Sequence, residues 1–296
     1  MDEPILLYGI GATKAGTSWL YRTLADRDDC ALPAVKELHY WDTFHGPTKE
    51  KQITALEGQL LKARALMEEA EAAGRGWQVR NLTRRIRDLE GLIVMLGAPR
   101  KGHQAYLDYV TGRGAAALMA DICPAYGLLG KGRLSEMLDL YPRSRVLYLV
   151  RDPLARLWSA VRMQAERQLM EGQTVPEKSN ATLWRILNKD HETHITERGD
   201  YAGTIARMEA AIPPERGRVM VMEELMNDDG YGALCDWLEL PRAPALIERR
   251  VHEGAPVTMR EDLRPAALKM LAPQYEAVAA HLGRVPDAWA AQMEAL

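Results

Sequence analysis

The sequence predicts an α/β fold in which helices cover both faces of a central parallel sheet, together with one inserted helical hairpin. Short apolar runs alternate with helix-like stretches along most of the chain, which is typical of a parallel sheet built from βαβ units. A glycine-rich loop joins the first run to the first helix. Residues 48–96 interrupt this alternation with a long repeat of helical period, which indicates an insert within a single domain spanning residues 1–296.

The apolar runs predict strands at 5–10, 115–122, 145–150 and 218–222. Runs of this length, bounded by turn residues, are typical of strands buried on both faces of a parallel sheet. The sequence RVLYLV is the clearest of them and leads directly into RDP. The stretch PAVKELHYWD mixes polar and aromatic residues, so it fits either a short strand or a loop.

Helices are predicted between the strands, at about 17–27, 132–140, 153–170 and 201–211. Residues 171–200 are polar and predict a loop with a short helix. The C-terminal quarter is predicted to be mostly helical, with interruptions at its prolines: Pro241, Pro244, Pro256, Pro265, Pro273 and Pro286.

The insert at 48–96 has two apolar stripes separated by a GRG turn. Charged residues fill the other faces, so the stripes predict an antiparallel helical hairpin with a coiled-coil seam. The simplest interpretation is a structural insert, and the alternatives are a lid or a dimerisation arm. The stripes are formed by Leu56, Leu60, Ala63, Met67 and Ala70, and by Leu82, Ile86, Leu89, Ile93 and Leu96.

Composition excludes several classes of protein. The 296 residues are 47% hydrophobic and 27% charged with a net charge of −3, which is typical of a soluble globular protein and argues against bulk electrostatic binding of nucleic acid. The three cysteines are far apart without a CxxC pair, which predicts reduced thiols in a cytoplasmic protein. The N-terminal sequence lacks a basic region and predicts a strand, not a signal peptide. No apolar stretch is long enough to span a membrane.

The loop in GIGATKAGTSWL, residues 9–20, predicts an anion site. Backbone N–H groups at the start of a helix attract anions, and Thr17 and Ser18 add hydroxyl donors there. The usual P-loop reads GxxxxGK[ST], whereas here Lys14 precedes Gly16 by two residues. A lysine at this position must approach the anion from a different side than the lysine of the usual P-loop does. The sequence therefore predicts a P-loop-like cradle for phosphate or sulfate.

A second candidate site lies in RDPLARLWSAVRMQ, residues 151–164. Arg151 follows the clearest strand, and ligands of open α/β sheets bind at the carboxyl ends of strands. Arg151 and Ser159 could both contact one phosphate, the arginine through a bidentate fork. A strand that ends in arginine does not supply the aspartate that holds Mg²⁺ in an NTPase. The spacing of HETH at 191–194 also differs from HExxH, so no metal site is predicted.

Together, KAGTSWLYRTL and RDPLARLWSAVRMQ resemble the sulfotransferases that use 3′-phosphoadenosine 5′-phosphosulfate (PAPS). The resemblance is to the heparan-sulfate-type and bacterial branch. It implies that the first motif binds the 5′-phosphosulfate and that Arg151 and Ser159 bind the 3′-phosphate. It also implies that Arg260, in PVTMRED, belongs to a loop over the nucleotide. The residues implied for the 5′ side are Lys14, Ala15, Gly16, Thr17 and Ser18.

The acceptor side of this resemblance rests on shorter stretches. KELHYWD matches a segment whose glutamate, here Glu37, is the implied catalytic base, and His39 is the alternative base. ADICPAYGLL places Asp121 where the family has an acid that orients the acceptor or the base. ERGDYAGTIARM and VMVMEELMND match later segments of the family.

The function that this resemblance implies is sulfonate transfer from PAPS to a hydroxyl or amine of a carbohydrate or small metabolite. The product would be adenosine 3′,5′-bisphosphate, Lys14 would stabilise the leaving charge, and no metal would be needed. One alternative is a P-loop-type small-molecule kinase that uses ATP and Mg²⁺. Another is a non-catalytic interaction protein that binds a partner, or forms a homodimer, through the hairpin at 48–96.

Overall fold

The computed structural model describes residues 3–44, 46–245 and 257–296. Its centre is a parallel sheet of five strands in the order β2-β3-β1-β4-β5. This architecture, with helices against the sheet, confirms the predicted fold class. The strands are β1 (Ile5–Gly11), β2 (Cys30–Ala31), β3 (Leu118–Ile122), β4 (Ser144–Val150) and β5 (Gly217–Val221).

The helices account for most of the remaining described chain. Between β1 and β3 lie α1 (Thr17–Ala25), α2 (Gly46–Ala72), α3 (Gly76–Gly97) and α4 (Gln104–Thr111), and α5 (Lys131–Asp139) precedes β4. Between β4 and β5 lie α6 (Pro153–Arg167), α7 (Val175–Lys189), α8 (Thr193–Glu197) and α9 (Tyr201–Ala211). The chain ends with α10 (Met222–Leu225), α11 (Asp228–Trp237), α12 (Arg264–Leu282) and α13 (Ala290–Met293). No helix within the described ranges is both long enough and apolar enough to cross a membrane.

Strand order fixes where a ligand can bind. Every residue of β1 is buried, because β3 and β4 flank it in the sheet and helices cover its faces. The chain moves to one side of β1 to form β2 and β3, then crosses to the other side to form β4 and β5. Such a change of direction opens a crevice at the carboxyl ends of the strands. The loops after β1 and β4 therefore meet at this crevice.

The structure differs from the sequence prediction in three places. The short strand β2 was not predicted, whereas the loop at residues 33–42 is one of the two predicted alternatives. The polar region 171–200 contains α7, which is a helix of 15 residues that starts in a capping box between Thr174 and Glu177. This box and Pro176 in the first turn favour a helix start, although the surrounding composition is that of a loop.

The prolines of the C-terminal region interrupt fewer helices than predicted. Pro265 occupies the first turn of α12, and Pro273 lies inside the same helix. A proline in the first turn loses no helical hydrogen bond, and the packing of α12 outweighs the cost of Pro273, since Leu271 and Tyr275 beside it are buried. Pro256 lies outside the described residues.

The insert is an antiparallel hairpin of α2 and α3, as predicted. Its seam includes the buried Leu56, Ala63 and Ala70 at heptad spacing. An ion pair of 2.7 Å between Arg64 and Glu90 joins the two helices. Large side chains such as Trp77 (66% exposed) face outward. The homodimer through this hairpin stays a prediction.

A buried carboxylate of α3 helps to attach the hairpin to the sheet domain. Asp88 of α3 is only 4% exposed. It accepts a hydrogen bond of 2.6 Å from the backbone N–H of Ala34 and forms an ion pair of 2.9 Å with Arg113. Through Ala34, the hairpin holds the start of the loop that contains KELHYWD.

Candidate active site

The loop after β1 has the backbone that an anion cradle needs. Lys14 has a φ of 70° and Gly16 a φ of 89°, and both lie in the left-handed region. A Cβ on Gly16 would lie 2.8 Å from Cγ of Met222, so glycine is needed here both for conformation and for space. The amide of Ala12 donates to the carbonyl of Leu149 at 2.7 Å, which fastens the loop to β4.

The first turn of α1 presents backbone N–H groups to this loop. Gly16 is its N-cap and has no side chain to accept a hydrogen bond from the helix N–H groups. The first N–H groups of a helix have no intrahelical partner and carry the positive end of the helix dipole. Thr17 is 5% exposed and Ser18 half-buried. Backbone amides and hydroxyl groups of the segment from Lys14 to Ser18 can therefore surround a bound anion.

Arg151 reaches this loop from the end of β4. Its Nη1 lies 3.5 Å from the carbonyl oxygen of Lys14. Its Nε is buried without a hydrogen-bond partner among the described residues. No carboxylate of the described chain lies within ion-pair distance of Arg151. A buried donor without a partner carries a free-energy cost that a bound anion would remove.

Positive charge accumulates around the loop. The pKa of Lys14 is lowered by burial and by the charges of Arg151, Arg162 and Arg167, while Glu166 acts in the opposite direction. Mutual repulsion between cations destabilises a site that has no ligand. The arrangement therefore favours a ligand with more than one negative charge.

The ERGDY segment holds both loops in place. The hydroxyl of Tyr201 accepts from the backbone N–H of Arg151 at 3.2 Å and donates to its carbonyl at 2.9 Å. Nη1 of Arg198 lies 3.5 Å from the hydroxyl of Thr13. Sequence analysis gave Arg198 no role. Both contacts join segments far apart in the chain, so sequence spacing could not indicate them.

Ser159 and Arg260 lie in different surroundings. Ser159 is buried in α6, 9% exposed, in the helix that follows Arg151. Arg162 follows it by three residues, a spacing that places both on one helix face. Arg260 is exposed and its guanidinium forms a bidentate contact with Asp262 at 2.5 and 2.9 Å. Its backbone N–H donates to Asn180 of α7 at 2.8 Å, so the predicted contact of Arg260 with the nucleotide stays a prediction.

The two predicted bases lie side by side in the KELHYWD loop. Glu37 has a φ of 67° and His39 a φ of 53°; such left-handed conformations in residues other than glycine are concentrated at functional sites. Oε2 of Glu37 lies 3.8 Å from Nε2 of His39. Glu37 is also paired with Lys36. The two side chains therefore face a common space.

His39 has the hydrogen bond that orients a catalytic base. Its Nδ1 lies 2.8 Å from Oδ2 of Asp42, and a proton on Nδ1 leaves Nε2 with the lone pair. Burial alone would lower the pKa of His39, but its hydrogen bond to Asp42 and the charges of Asp42, Glu37 and Asp121 raise it overall. Sequence reasoning missed Asp42, although an acid three residues after a histidine in a loop is a signal that could have indicated it.

Asp121 holds the KELHYWD loop in place through buried hydrogen bonds. It is 1% exposed, and its Oδ2 accepts hydrogen bonds from Tyr106 at 3.0 Å and from Tyr126 at 2.9 Å. The Tyr126 oxygen in turn accepts from the backbone N–H of Tyr40 at 3.1 Å. Burial raises the pKa of Asp121 to about 7, against the lowering effect of the two tyrosine hydroxyls. This placement favours positioning of the loop over direct contact with an acceptor.

Replacing Asp121 with alanine is expected to destabilise the fold by about 3 kcal/mol, because two buried tyrosine hydroxyls lose their acceptor. The shift in the denaturant midpoint measures this loss. Asp121→Asn is the matched control, since its amide oxygen can accept both hydrogen bonds. Equal stability of the alanine and asparagine variants would show that the hydrogen bonds of Asp121 do not hold the loop.

Comparison with known proteins agrees with this architecture. No family profile and no curated protein matches the chain. A sulfotransferase structure from Alicyclobacillus acidocaldarius superposes with a TM-score of 0.58 at 22% identity, covering 98% of this chain and 99% of that chain. The sulfotransferase domain from the curacin biosynthetic pathway gives a TM-score of 0.48 at 18% identity, covering 97% and 100%. At this level of identity, the first match identifies the fold and confirms the fold implied by the two motifs. The chain therefore has the sulfotransferase fold.

Proposed function

We propose that the protein is a PAPS-dependent sulfotransferase. The observation that carries the proposal is the meeting of an uncapped helix start, Lys14 and Arg151 at the switch point of the sheet. The buried Nε of Arg151 has no partner in the described chain, and burial together with the nearby cations lowers the pKa of Lys14. A donor with phosphate groups at two positions would give Arg151 a hydrogen-bond partner and would neutralise the positive charge around Lys14.

In this proposal Lys14 and the first amides of α1 bind the 5′-phosphosulfate, together with Ala15, Gly16, Thr17 and Ser18. Arg151 and Ser159 bind the 3′-phosphate, with Arg260 as a further contact. PAPS supplies an activated sulfonate group and leaves as adenosine 3′,5′-bisphosphate. Lys14 stabilises the negative charge that develops on the leaving phosphate. Because these groups neutralise charge with cations and amides, the donor site needs no metal.

For the base we favour His39 over Glu37. The hydrogen bond from Nδ1 to Asp42 fixes the ring and leaves Nε2 to take the acceptor's proton, as in other oriented histidine bases. The side chain of Glu37 is 41% exposed and paired with Lys36, so part of its charge is already compensated. Glu37 would then contact the acceptor beside His39. The acceptor class, a hydroxyl or amine of a carbohydrate or small metabolite, rests on the resemblance of KELHYWD alone.

Calorimetric titration of the full chain with adenosine 3′,5′-bisphosphate tests the proposal. We expect micromolar binding without metal, because the proposed contacts are all with protein groups. ATP with Mg²⁺ is the comparison ligand and adenosine the control for the nucleoside alone. Binding of ATP with Mg²⁺ but not of the bisphosphate would favour the kinase. Binding of neither would favour the non-catalytic interaction protein.

A further inference from the structure

Three metal-ligating side chains from two distant parts of the chain meet beside the proposed acceptor site. One ligand atom from each of His39, Asp42 and Cys123 lies within 4.8 Å of the other two. Nδ1 of His39 lies 2.8 Å from Asp42 Oδ2 and 3.7 Å from Cys123 Sγ. Sequence reasoning did not find this group, because Cys123 is more than eighty residues from the other two. We propose that His39, Asp42 and Cys123 form a binding site for Zn²⁺.

The choice of metal follows from the ligands. One imidazole nitrogen, one thiolate and one carboxylate are a set that Zn²⁺ prefers, and three protein ligands leave a fourth, open position. Ca²⁺ and Mg²⁺ prefer oxygen ligands and larger coordination numbers. The present separations are close to those between ligands of a tetrahedral ion, so small side-chain shifts would complete the site.

The surroundings of the three ligands also favour a cation. Oδ1 of Asp42 is buried without a hydrogen-bond partner among the described residues. Oε2 of Glu37 lies on the Nε2 side of the ring, 3.8 Å away. A small shift that shortens this distance would let Glu37 accept a hydrogen bond from Nε2, as the outer carboxylate of a zinc-bound histidine does.

An ion can reach this site from solvent. The side chains of His39 and Asp42 are 22% and 23% exposed, whereas Cys123 lies beneath them at 0%. Binding would release the proton of the Cys123 thiol to the solvent and would move the proton of neutral His39 from Nδ1 to Nε2. Zinc and the hydrogen bond that orients His39 therefore exclude each other, since both use Nδ1.

The exposed HETH sequence at residues 191–194 is an alternative place where zinc could bind, so the test must distinguish it from the proposed site. His194 lies 3.5 Å from Glu192 and its side chain is 51% exposed. Cys30 is a second, partly buried thiol that could bind a metal adventitiously. These residues provide matched controls, because neither belongs to the proposed zinc site.

The test is titration of the metal-free full chain with Co²⁺, followed by displacement with Zn²⁺. We expect one equivalent of Co²⁺ to give a thiolate-to-cobalt charge-transfer band and the intense visible bands of tetrahedral coordination. Cys123→Ser should abolish the charge-transfer band, and Asp42→Asn should weaken zinc affinity by at least about 10-fold. Cys30→Ser and His194→Ala should leave both the spectrum and the affinity unchanged.

X-ray absorption of the zinc-loaded wild-type protein needs no variant and keeps the test decisive if a variant fails to fold. We expect one sulfur ligand at about 2.3 Å with nitrogen and oxygen ligands at about 2.0–2.2 Å. A zinc coordination shell without sulfur would overturn the proposal. A thiolate-to-cobalt charge-transfer band that persists in Cys123→Ser would also overturn it. Loss of zinc binding in His194→Ala would do the same. The result is independent of bisphosphate binding, so this proposal and the proposed donor can fail separately.

Discussion

Replacing Lys14 with alanine is expected to lower kcat by about 100- to 1,000-fold, the usual cost of removing one preorganised stabiliser of transition-state charge. Lys14 lies in the loop just before α1, where burial and the charges of Arg151 and Arg162 lower its pKa. Its main effect should be on kcat, because the charge on the leaving phosphate grows as the bond to sulfur breaks. Measuring both steady-state sulfonate transfer from PAPS and the affinity for the bisphosphate separates an effect on kcat from an effect on nucleotide binding.

Two variants control this experiment. Lys14→Arg keeps the positive charge, so it should retain more activity than the alanine variant while losing part of the geometry. Lys269→Ala removes an exposed lysine of α12 and should leave kcat unchanged. A Lys14→Ala protein that folds, binds the bisphosphate and turns over at the wild-type rate would remove Lys14 from the catalytic residues.

The second large effect is expected at Arg151. Arg151→Ala should weaken bisphosphate binding by about 2 kcal/mol or more, roughly 30-fold in Kd, because it removes a partly buried, charge-assisted contact. Isothermal calorimetry of both proteins measures the difference directly. Arg151→Lys keeps the charge but loses the bidentate fork, so its affinity should fall between the two.

The ligand can be varied as well as the protein. If Arg151 binds the 3′-phosphate, the deficit of Arg151→Ala should largely disappear with adenosine 5′-phosphosulfate, which has no phosphate at that position. An equal deficit with both ligands would place Arg151 on the 5′ side, where its Nη1 already lies 3.5 Å from the Lys14 carbonyl. Unchanged affinity for the bisphosphate would contradict the donor site itself.

The loop geometry of the proposed donor site could be predicted from sequence because its parts are local. Gly16, Thr17 and Ser18 lie in one turn, and their spacing between a strand and a helix already determines a cradle of amides. Arg151 was found because it ends a strongly apolar strand, and parallel strands end at one edge of the sheet. The structure adds that Arg151 approaches Lys14 itself, which depends on β1 and β4 being neighbours.

The acceptor side could be predicted only in part, because its contacts are not local. Glu37 and His39 were identified from one short stretch, but their relation to Cys123 depends on how the loop folds over the end of β3. The hydrogen bonds of Asp121 with two tyrosines likewise depend on α4 and on the turn after β3. The helix α7 was missed for another reason. Its capping signals cover only four residues within a polar region, and average composition conceals them.

The attachment through Asp88 limits how the hairpin can be shortened. Closer to the tip of the hairpin, Arg84 donates a hydrogen bond to the carbonyl oxygen of Leu32 at 3.0 Å, so the hairpin can vary in length only distal to Arg84 without losing this contact. Asp88 itself contacts both Arg113 and Ala34, and Ala34 begins the loop that contains KELHYWD. The hairpin and this loop therefore depend on the same contact. Deleting all of 48–96 would therefore release the loop that contains His39, and lost activity would reveal nothing about dimerisation. A truncation of the distal turns that retains both Arg84 and Asp88 separates oligomeric state from the integrity of the active site.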